Sequence, residues 1–205
     1  MPNEVASGAR NGLAPLARGL HRIGMTANAV TVLGVLITMA GSALIVLERP
    51  LAALIVLLVG TLSDTLDGQL AKAAGGGTRF GAFLDSTLDR VSDAALFSGA
   101  AALGAGRSDA PLFWAALVGL VASFLVSYVR GKAEAMSLTA TVGLMPREAR
   151  LTILLIGIGL WGVLGLYPLF VLAVVVVAVL SLITVLQRIA YVARALNATD
   201  QKGTR

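Results

Sequence analysis

The fold and the chemistry of this chain are both indicated by one stretch, DTLDGQLAKAAGGGTRFGAFLDSTLD, which runs from Asp64 to Asp89. It carries two carboxylate pairs, one spaced by three residues and one by four, and both spacings place the paired side chains on one face of a helix. A glycine run at 75–77 separates the pairs and predicts a turn between two helices. Asp64, Asp67, Asp85 and Asp89 are therefore expected at the same end of two neighbouring antiparallel helices.

The composition around this stretch is that of a membrane protein. Of the 205 residues, 57% are hydrophobic and 13% are charged, against roughly 25% charged residues in a soluble domain. This excludes an ordinary water-soluble globule, a disordered chain and a coiled coil. The net charge is +5, but aromatic residues make up only 5%, so no nucleic-acid partner is expected. Without cysteine the chain has no disulfide and no thiolate ligand.

Apolar stretches of suitable length predict six membrane spans. A bilayer core about 30 Å thick needs roughly 20 mostly apolar residues per helix. The expected fold is a single domain over residues 1–205, an all-α integral membrane protein with six transmembrane helices preceded by an N-terminal interfacial amphipathic helix. For the N-terminal segment the alternative is a frayed basic tail. The predicted bounds are 8–23 for the interfacial helix and 24–47, 51–73, 80–104, 111–134, 147–165 and 168–194 for the spans.

Basic residues predict the orientation in the membrane. With six spans, 14 of the 16 Lys and Arg residues fall on the side of the two termini, and only Arg49 and Arg107 fall on the other. Positive charge marks the cytoplasmic side of a membrane protein. We therefore expect a multi-pass protein of the cell membrane whose termini and carboxylate cluster face the cytoplasm.

The four carboxylates predict a metal site. Ionised aspartates in apolar helices are unstable unless they are paired, hydrated or metal-bound. Oxygen ligands without thiolates favour a hard cation such as Mg²⁺ or Mn²⁺. Asp93 lies one turn deeper and is expected beside the ligands rather than among them. The alternative is a set of solvated acids, or acids that form ion pairs with Lys72, Arg79 and Arg90.

The stretch resembles the signature of the CDP-alcohol phosphotransferases, Asp-x2-Asp-Gly-x2-Ala-Arg-x8-Gly-x3-Asp-x3-Asp. Its eight fixed positions span 26 residues, and all of them match except Lys72, where the family usually has Arg. Six spans, an interfacial N-terminal helix and cytoplasmic termini are also what that family shows. The resemblance implies an enzyme that transfers a phosphatidyl group from CDP-diacylglycerol to an alcohol and releases CMP.

The resemblance also implies roles for individual residues. Two Mg²⁺ ions, with Mn²⁺ as the alternative, would be bound by Asp64, Asp67, Asp85 and Asp89. Asp89 would also be the general base that takes the proton from the acceptor hydroxyl. A second segment, Thr26 to Thr31, resembles the family's Thr-Pro-Asn-x-x-Thr, with Ala27 in place of Pro; helix capping is the alternative role for Thr26 and Asn28. The residues implied to bind CDP-diacylglycerol are Asn28, Ala29, Val30, Thr31, Gly68, Ala71, Lys72 and Thr78.

A group of basic residues near the later spans predicts an acceptor that itself carries a phosphate. The group consists of Lys132, Arg150, Arg188, Arg130 and Arg147. The alternative explanation is the ordinary excess of basic residues in cytoplasmic loops.

The resemblance also narrows the choice among possible acceptors. Residues 75–85, 127–135 and 146–151 are similar to the actinobacterial phosphatidylinositol-phosphate synthases within this family, which implies inositol 1-phosphate as acceptor. Glycerol 3-phosphate, the acceptor of phosphatidylglycerophosphate synthases, is the nearest rival. A membrane cation transporter and a structural scaffold are the alternatives that are not enzymes. The resemblance also implies a homodimer, and the small residues at 99–102 would suit close helix packing.

Overall fold

Helices are the only regular secondary structure in the residues that the structure describes. This computed structural model describes residues 15–16, 19–20 and 23–203, and contains no β-strand within them. Each helix begins and ends within three residues of a predicted span, except that the last helix continues nine residues further. The helices are α1 (Ala27–Val46), α2 (Pro50–Ala73), α3 (Arg79–Gly106), α4 (Ala110–Ala135), α5 (Arg147–Leu164) and α6 (Tyr167–Gly203).

Four of these helices are long and apolar enough to cross a membrane: Ala27–Val46, Pro50–Lys72, Ala110–Ala135 and Tyr167–Ala198. The other two helices, α3 and α5, carry too many charged residues to be identified as membrane spans by length and apolar composition alone. The first half of α3 contains the second carboxylate pair, and the first turn of α5 contains Arg147, Glu148 and Arg150. Six spans therefore remain a prediction. Of the interfacial helix predicted at 8–23, Pro15, Leu16, Gly19 and Leu20 are helical, and most of the segment lies outside the described residues.

Threonine side chains cap the N-termini of two helices that carry the candidate site. The Thr26 hydroxyl accepts a hydrogen bond from the backbone N–H of Ala29 at 3.2 Å, and the Thr78 hydroxyl accepts one from Gly81 at 2.9 Å. Each satisfies a backbone donor that has no partner within the first turn of a helix. Of the two capping residues considered for α1, Thr26 therefore takes that role.

The chain forms two compact units. The first comprises the described part of Met1–Leu44 together with Ala52–Leu96, and the second comprises Ile45–Leu51 together with the described part of Phe97–Arg205. The first unit contains both carboxylate pairs, and the second contains the basic group. Small residues allow close packing within the first unit, where a Cβ at Gly41 would lie 2.6 Å from the Leu57 side chain.

Close packing in the second unit also uses small residues. A Cβ at Gly119 would lie 2.5 Å from the ring of Phe97, and one at Gly157 would lie 2.6 Å from the Ala173 side chain. Ala100 and Ala101, which we expected to suit packing between copies of the chain, are 3% and 6% exposed. They pack within the chain instead.

Ion pairing and aromatic contacts join two connections and the start of one helix in the second unit. Arg107 Nη2 donates to Glu48 Oε2 at 2.5 Å, and this hydrogen bond lowers the pKa of Glu48. The Arg107 guanidinium also lies 4.2 Å from the centre of the Tyr167 ring. The Tyr167 hydroxyl donates to Asp109 Oδ2 at 2.8 Å. The α1–α2 and α3–α4 connections and the start of α6 are thereby held together.

Candidate active site

A tight turn connects the two helices that carry the carboxylate pairs. The backbone N–H of Gly76 donates to the carbonyl of Ala71 at 2.9 Å, which closes the end of α2. Gly75 and Gly76 have φ of +94° and +124°, a region that side-chain-bearing residues rarely adopt. The glycine run was predicted to be a turn, and its conformation explains why glycine is needed there.

A cavity of about 580 Å³ lies beside this turn within the first unit. Its walls come from the start of α1, the end of α2, the glycine turn and the start of α3. Among the residues expected to bind the nucleotide or metal, Asn28, Thr31, Asp67, Gly68, Ala71, Thr78 and Asp85 line it.

Three of the residues expected to bind CDP-diacylglycerol do not line the cavity. Val30 is 4% exposed and packs against Leu70 in a buried apolar cluster. Ala29 and Lys72 have exposed side chains. The reason for the difference on α1 is helical geometry: Asn28 and Thr31 are three residues apart and share a face, which the residues between them do not.

The cavity also has walls that sequence reasoning missed. A Cβ at Gly81 would lie 3.1 Å from Thr78 Oγ1 and 3.2 Å from Asn28 Oδ1, so a larger residue would crowd two polar groups of the cavity. Gly81 is one of the eight fixed positions of the motif, so the motif could have indicated it as a site residue. Further lining residues, none of which had been assigned to the nucleotide or to metal, are Gly24, Met25, Thr26, Ala27, Leu70, Ala74, Gly76, Gly77 and Ala82.

Asp67 is the buried carboxylate of the site. It is 8% exposed, and its Oδ2 accepts a hydrogen bond of 2.7 Å from the Thr31 hydroxyl. The same hydroxyl lies 3.0 Å from the carbonyl oxygen of Ala27, so the shorter contact is with the carboxylate. The charges of Asp64 and Asp85 both act on Asp67. Three of the four motif carboxylates therefore lie in one neighbourhood.

Three carboxylates near the cavity-lining pair do not themselves line the cavity: Asp64, Asp89 and Asp93. Asp64 Oδ1 would be 3.5 Å from a Cβ at Gly34, so this side chain approaches α1. Asp89 lies 3.9 Å from Arg90 Nη1, and its side chain is 23% exposed. Asp93 is 5% exposed.

The donor set suits a hard divalent cation, but the structure does not gather all four aspartates around one point. Among the described residues, no three acidic, histidine or cysteine side chains are close enough together to hold one ion. Four like charges repel each other, and only Asp67 and Asp85 share the cavity. Carboxylate oxygens with the Thr31 hydroxyl nearby are the donors that Mg²⁺ and Mn²⁺ prefer. Asp67 and Asp85 line the same cavity, and metal ligation by the four aspartates stays a prediction.

The basic group lies in the second unit and divides into buried and exposed members. Arg150 and Arg188 are 2% and 5% exposed, whereas Arg130 and Lys132 have exposed side chains and Arg147 is half-buried. The charges of Arg130 and Arg150 act on Arg188. Arg130 also forms an ion pair with Glu134 at 2.8 Å, so part of its charge is already neutralised. An excess of basic residues in cytoplasmic loops does not require burial, so it does not explain Arg150 and Arg188.

Residues 24–187 match the family model for CDP-alcohol phosphatidyltransferases. The chain belongs to that family. The resemblance seen in residues 64–89 is thereby confirmed, and the transporter and scaffold alternatives lose their support.

Members of the CDP-alcohol phosphatidyltransferase family align with most of this chain. A phosphatidylinositol phosphate synthase of Mycobacterium tuberculosis is 43% identical over 147 residues, which cover 71% of this chain and 68% of that protein. An archaetidylinositol phosphate synthase of Pyrococcus horikoshii is 40% identical over 142 residues, which cover 69% and 73%.

Solved structures of the Mycobacterium tuberculosis phosphatidylinositol phosphate synthase have the same fold. One with CDP-DAG bound matches with a TM-score of 0.83 at 39% identity, and covers 87% of this chain and 92% of that one. Another, in complex with manganese and citrate, also has a TM-score of 0.83, at 40% identity over 87% and 88% of the chains.

The hydrogen bond between Thr31 and Asp67 yields a stability prediction. Thr31→Val keeps the shape of the side chain but leaves a buried carboxylate without this donor, so the free energy of unfolding should fall by about 1.5–3 kcal/mol. Thr31→Ser should stay close to the parent. Thermal unfolding in detergent without added divalent cation measures the effect.

Thr38→Val is the matched control for this prediction, because Thr38 is also buried on α1 but donates only to the carbonyl of Gly34, at 2.9 Å. The free energy of unfolding should fall less in Thr38→Val than in Thr31→Val. Equal losses in Thr31→Val and Thr38→Val would contradict a special role for the bond to Asp67.

Proposed function

We propose that this chain transfers the phosphatidyl group of CDP-diacylglycerol to a hydroxyl of inositol 1-phosphate, giving phosphatidylinositol phosphate and CMP. The observation that carries the proposal is the cavity in which Asp67, Gly68 and Asp85 of the family motif meet Asn28 and Thr31. The 43% identity to a phosphatidylinositol phosphate synthase supports inositol 1-phosphate over glycerol 3-phosphate as acceptor.

The cavity is suited to the nucleotide end of the donor. Its volume of about 580 Å³ falls within the range of roughly 300–1,000 Å³ that is usual for small-molecule sites. A Cβ at Gly68 would meet no atom within 4 Å, so glycine keeps that wall open for a ligand. Thr78 and Asn28 supply polar groups for the nucleotide inside the cavity, whereas Lys72 is exposed outside it and is assigned to a phosphate by its place in the motif alone.

Metal ions belong to this proposal as cofactors. Asp64, Asp67, Asp85 and Asp89 would hold them, and two Mg²⁺ or Mn²⁺ ions are proposed because the ligands are all oxygen atoms and a homologous structure contains manganese. When bound, these ions would neutralise charge on the pyrophosphate and on the departing CMP.

Proton removal from the acceptor is assigned to Asp89. The acceptor hydroxyl oxygen forms a bond to the phosphatidyl phosphorus, the bond from that phosphorus to the CMP oxygen breaks, and the hydroxyl proton passes to the Asp89 carboxylate. Asp89 suits this task because its side chain is partly exposed, whereas Asp67 is buried and already accepts the Thr31 hydroxyl.

The acceptor phosphate is assigned to the basic group. Arg150 and Arg188 are its main ligands together with Lys132, and Arg130 and Arg147 assist. A guanidinium forms two parallel hydrogen bonds with a phosphate, which fixes the orientation of the acceptor.

The membrane setting follows from exposed apolar side chains. Leu36, Ile55, Val59 and Leu186 are 51% to 66% exposed, and side chains of this kind suit contact with lipid. The proposal places six spans in the cell membrane, with the active site and both termini in the cytoplasm and the acyl chains of the donor entering from the bilayer. A homodimer is part of the same proposal, on the basis of the family resemblance.

Release of CMP tests the function. Purified protein with CDP-diacylglycerol and Mg²⁺ should release CMP with inositol 1-phosphate, and not with free inositol or glycerol 3-phosphate. A chelator should abolish release. Release with glycerol 3-phosphate alone would replace the acceptor assignment and keep the chemistry, whereas no release with any acceptor would overturn the proposal.

Asp89→Asn should lower turnover by at least about 100-fold, because general bases contribute roughly 10²–10⁴-fold. The variant should unfold at close to the parent temperature. Asp109→Asn is the control: Asp109 lies outside the motif, and Asn can still accept the Leu112 N–H and can donate its amide N–H to the Tyr167 hydroxyl, which now donates to Asp109. Near-normal turnover in Asp89→Asn would remove the assignment of the base.

Arg150→Ala and Arg188→Ala should raise the KM for inositol 1-phosphate by about 10–100-fold, the equivalent of losing a hydrogen bond to a charged group. The KM for CDP-diacylglycerol should change little. Arg194→Ala on α6 is the control because its side chain is exposed. Equal increases in both KM values would indicate that Arg150 and Arg188 only maintain the fold.

A further inference from the structure

The connection between α4 and α5, residues 136–146, is irregular but firmly held. Ala140 and Met145 are 0% and 1% exposed. Non-helical backbone inside a protein needs partners for its N–H and C=O groups. Four such groups in residues 142–145 bond to side chains of α5 and α6: the carbonyl of Val142 with Arg188, the N–H of Leu144 with Gln187, the N–H of Met145 with Thr184 and the carbonyl of Met145 with Arg150.

Thr184 is the central contact of α6 with this connection. It is 0% exposed, and its hydroxyl accepts from the Met145 N–H at 3.0 Å while it donates to the Leu180 carbonyl at 2.8 Å. A Cβ at Gly143 would lie 2.3 Å from Thr184 Cγ2, and the φ of Gly143 is +131°. The hydroxyl and the methyl group of Thr184 therefore both fix where residues 143–145 lie.

The same connection holds the arginines assigned to the acceptor. Arg188 donates from Nε to the Val142 carbonyl at 2.9 Å and from Nη1 to the Val126 carbonyl at 2.6 Å. These bonds use two of the five N–H groups of a guanidinium, and they set the plane in which the others point. Arg150 donates from Nη1 to the Met145 carbonyl at 3.2 Å. Movement of residues 142–145 would therefore move the carbonyls that orient both guanidiniums.

We propose that Thr184 is a positioning residue for the acceptor, acting through the α4–α5 connection on Arg188 and Arg150. This inference rests on the proposed function, because it takes these two arginines as ligands of the acceptor phosphate. Thr184 lies one helical turn before Arg188 on the same face of α6. Side chains that are held in their bound orientation bind a ligand more tightly, because less ordering is needed on binding. Thr184 thus governs the affinity for the acceptor and not the affinity for the donor.

Substitutions at Thr184 test the proposal. Thr184→Val keeps the shape but removes the hydroxyl, and should raise the KM for inositol 1-phosphate about tenfold with little change in the KM for CDP-diacylglycerol or in kcat. Thr184→Ser keeps the hydroxyl but not the methyl group, and should restore most of the parent KM. Ser181→Ala is the matched control: Ser181 is also fully buried on α6, and its hydroxyl has no hydrogen-bond partner within the described part of the chain.

A second variant covers the case in which Thr184→Val does not fold. Gly143→Ala displaces the connection from the other side, through the close approach to Thr184 and the unfavourable φ. It should give the same selective rise in the acceptor KM. Hydrogen exchange at the Met145 amide, measured on the full chain, should be faster in both variants and unchanged in Ser181→Ala.

The outcomes separate this inference from the proposed function. Faster exchange at Met145 with an unchanged acceptor KM would overturn the positioning role and leave the function intact. Equal increases in both KM values, or a fall in kcat alone, would also overturn it, because they indicate a general structural role. If the parent protein uses no phosphorylated acceptor at all, the proposed function fails, and the inference fails with it.

Discussion

The structure depends on keeping a buried carboxylate among apolar helices. An ionised side chain in such surroundings is unfavourable unless hydrogen bonds or a cation stabilise it. The Thr31 hydroxyl, 2.7 Å from Asp67, meets this need, and it links α1 to α2 at the cavity. The requirement also explains where the polar groups of the first unit lie: Thr31, Asp67 and Asp85 are all directed at the cavity, where a nucleotide and a divalent cation would complete their coordination.

The second unit meets the opposite requirement, which is the burial of positive charge. Arg188 is 5% exposed and donates to two backbone carbonyls. Carbonyl dipoles solvate a guanidinium in the place of water, as they do at the ends of helices. The bond to Val142 also provides a partner for a carbonyl of the irregular α4–α5 connection. One contact therefore stabilises the backbone and orients the charge, so the stability of the α4–α5 connection and the geometry of the basic group cannot vary independently.

The sequence predicted those parts of the molecule that depend on local pattern. Apolar length placed six helices to within three residues, apart from the end of α6, which continues nine residues further, and the glycine run predicted the turn before α3. The motif identified Asp67 and Asp85, which do line the cavity. Lys72 and Val30 were assigned to the nucleotide by their place in a motif, yet Lys72 is exposed and Val30 packs against Leu70. A motif specifies residue types but not the direction of each side chain. The contacts of Thr184 with Met145 and of Arg188 with Val142 join residues about 40 positions apart, and no periodicity carries that information.

The buried arginines connect stability to ligand binding. The carbonyls bonded to Arg188 carry no net charge, so they lower the cost of burying the guanidinium without cancelling its charge. The charges of Arg130 and Arg150 act on Arg188 with the same sign, and of these Arg130 is partly neutralised by Glu134. A fold that concentrates like charges in this way is least stable when no anion is bound. A phosphate offsets that repulsion, so binding and stabilisation share one cause.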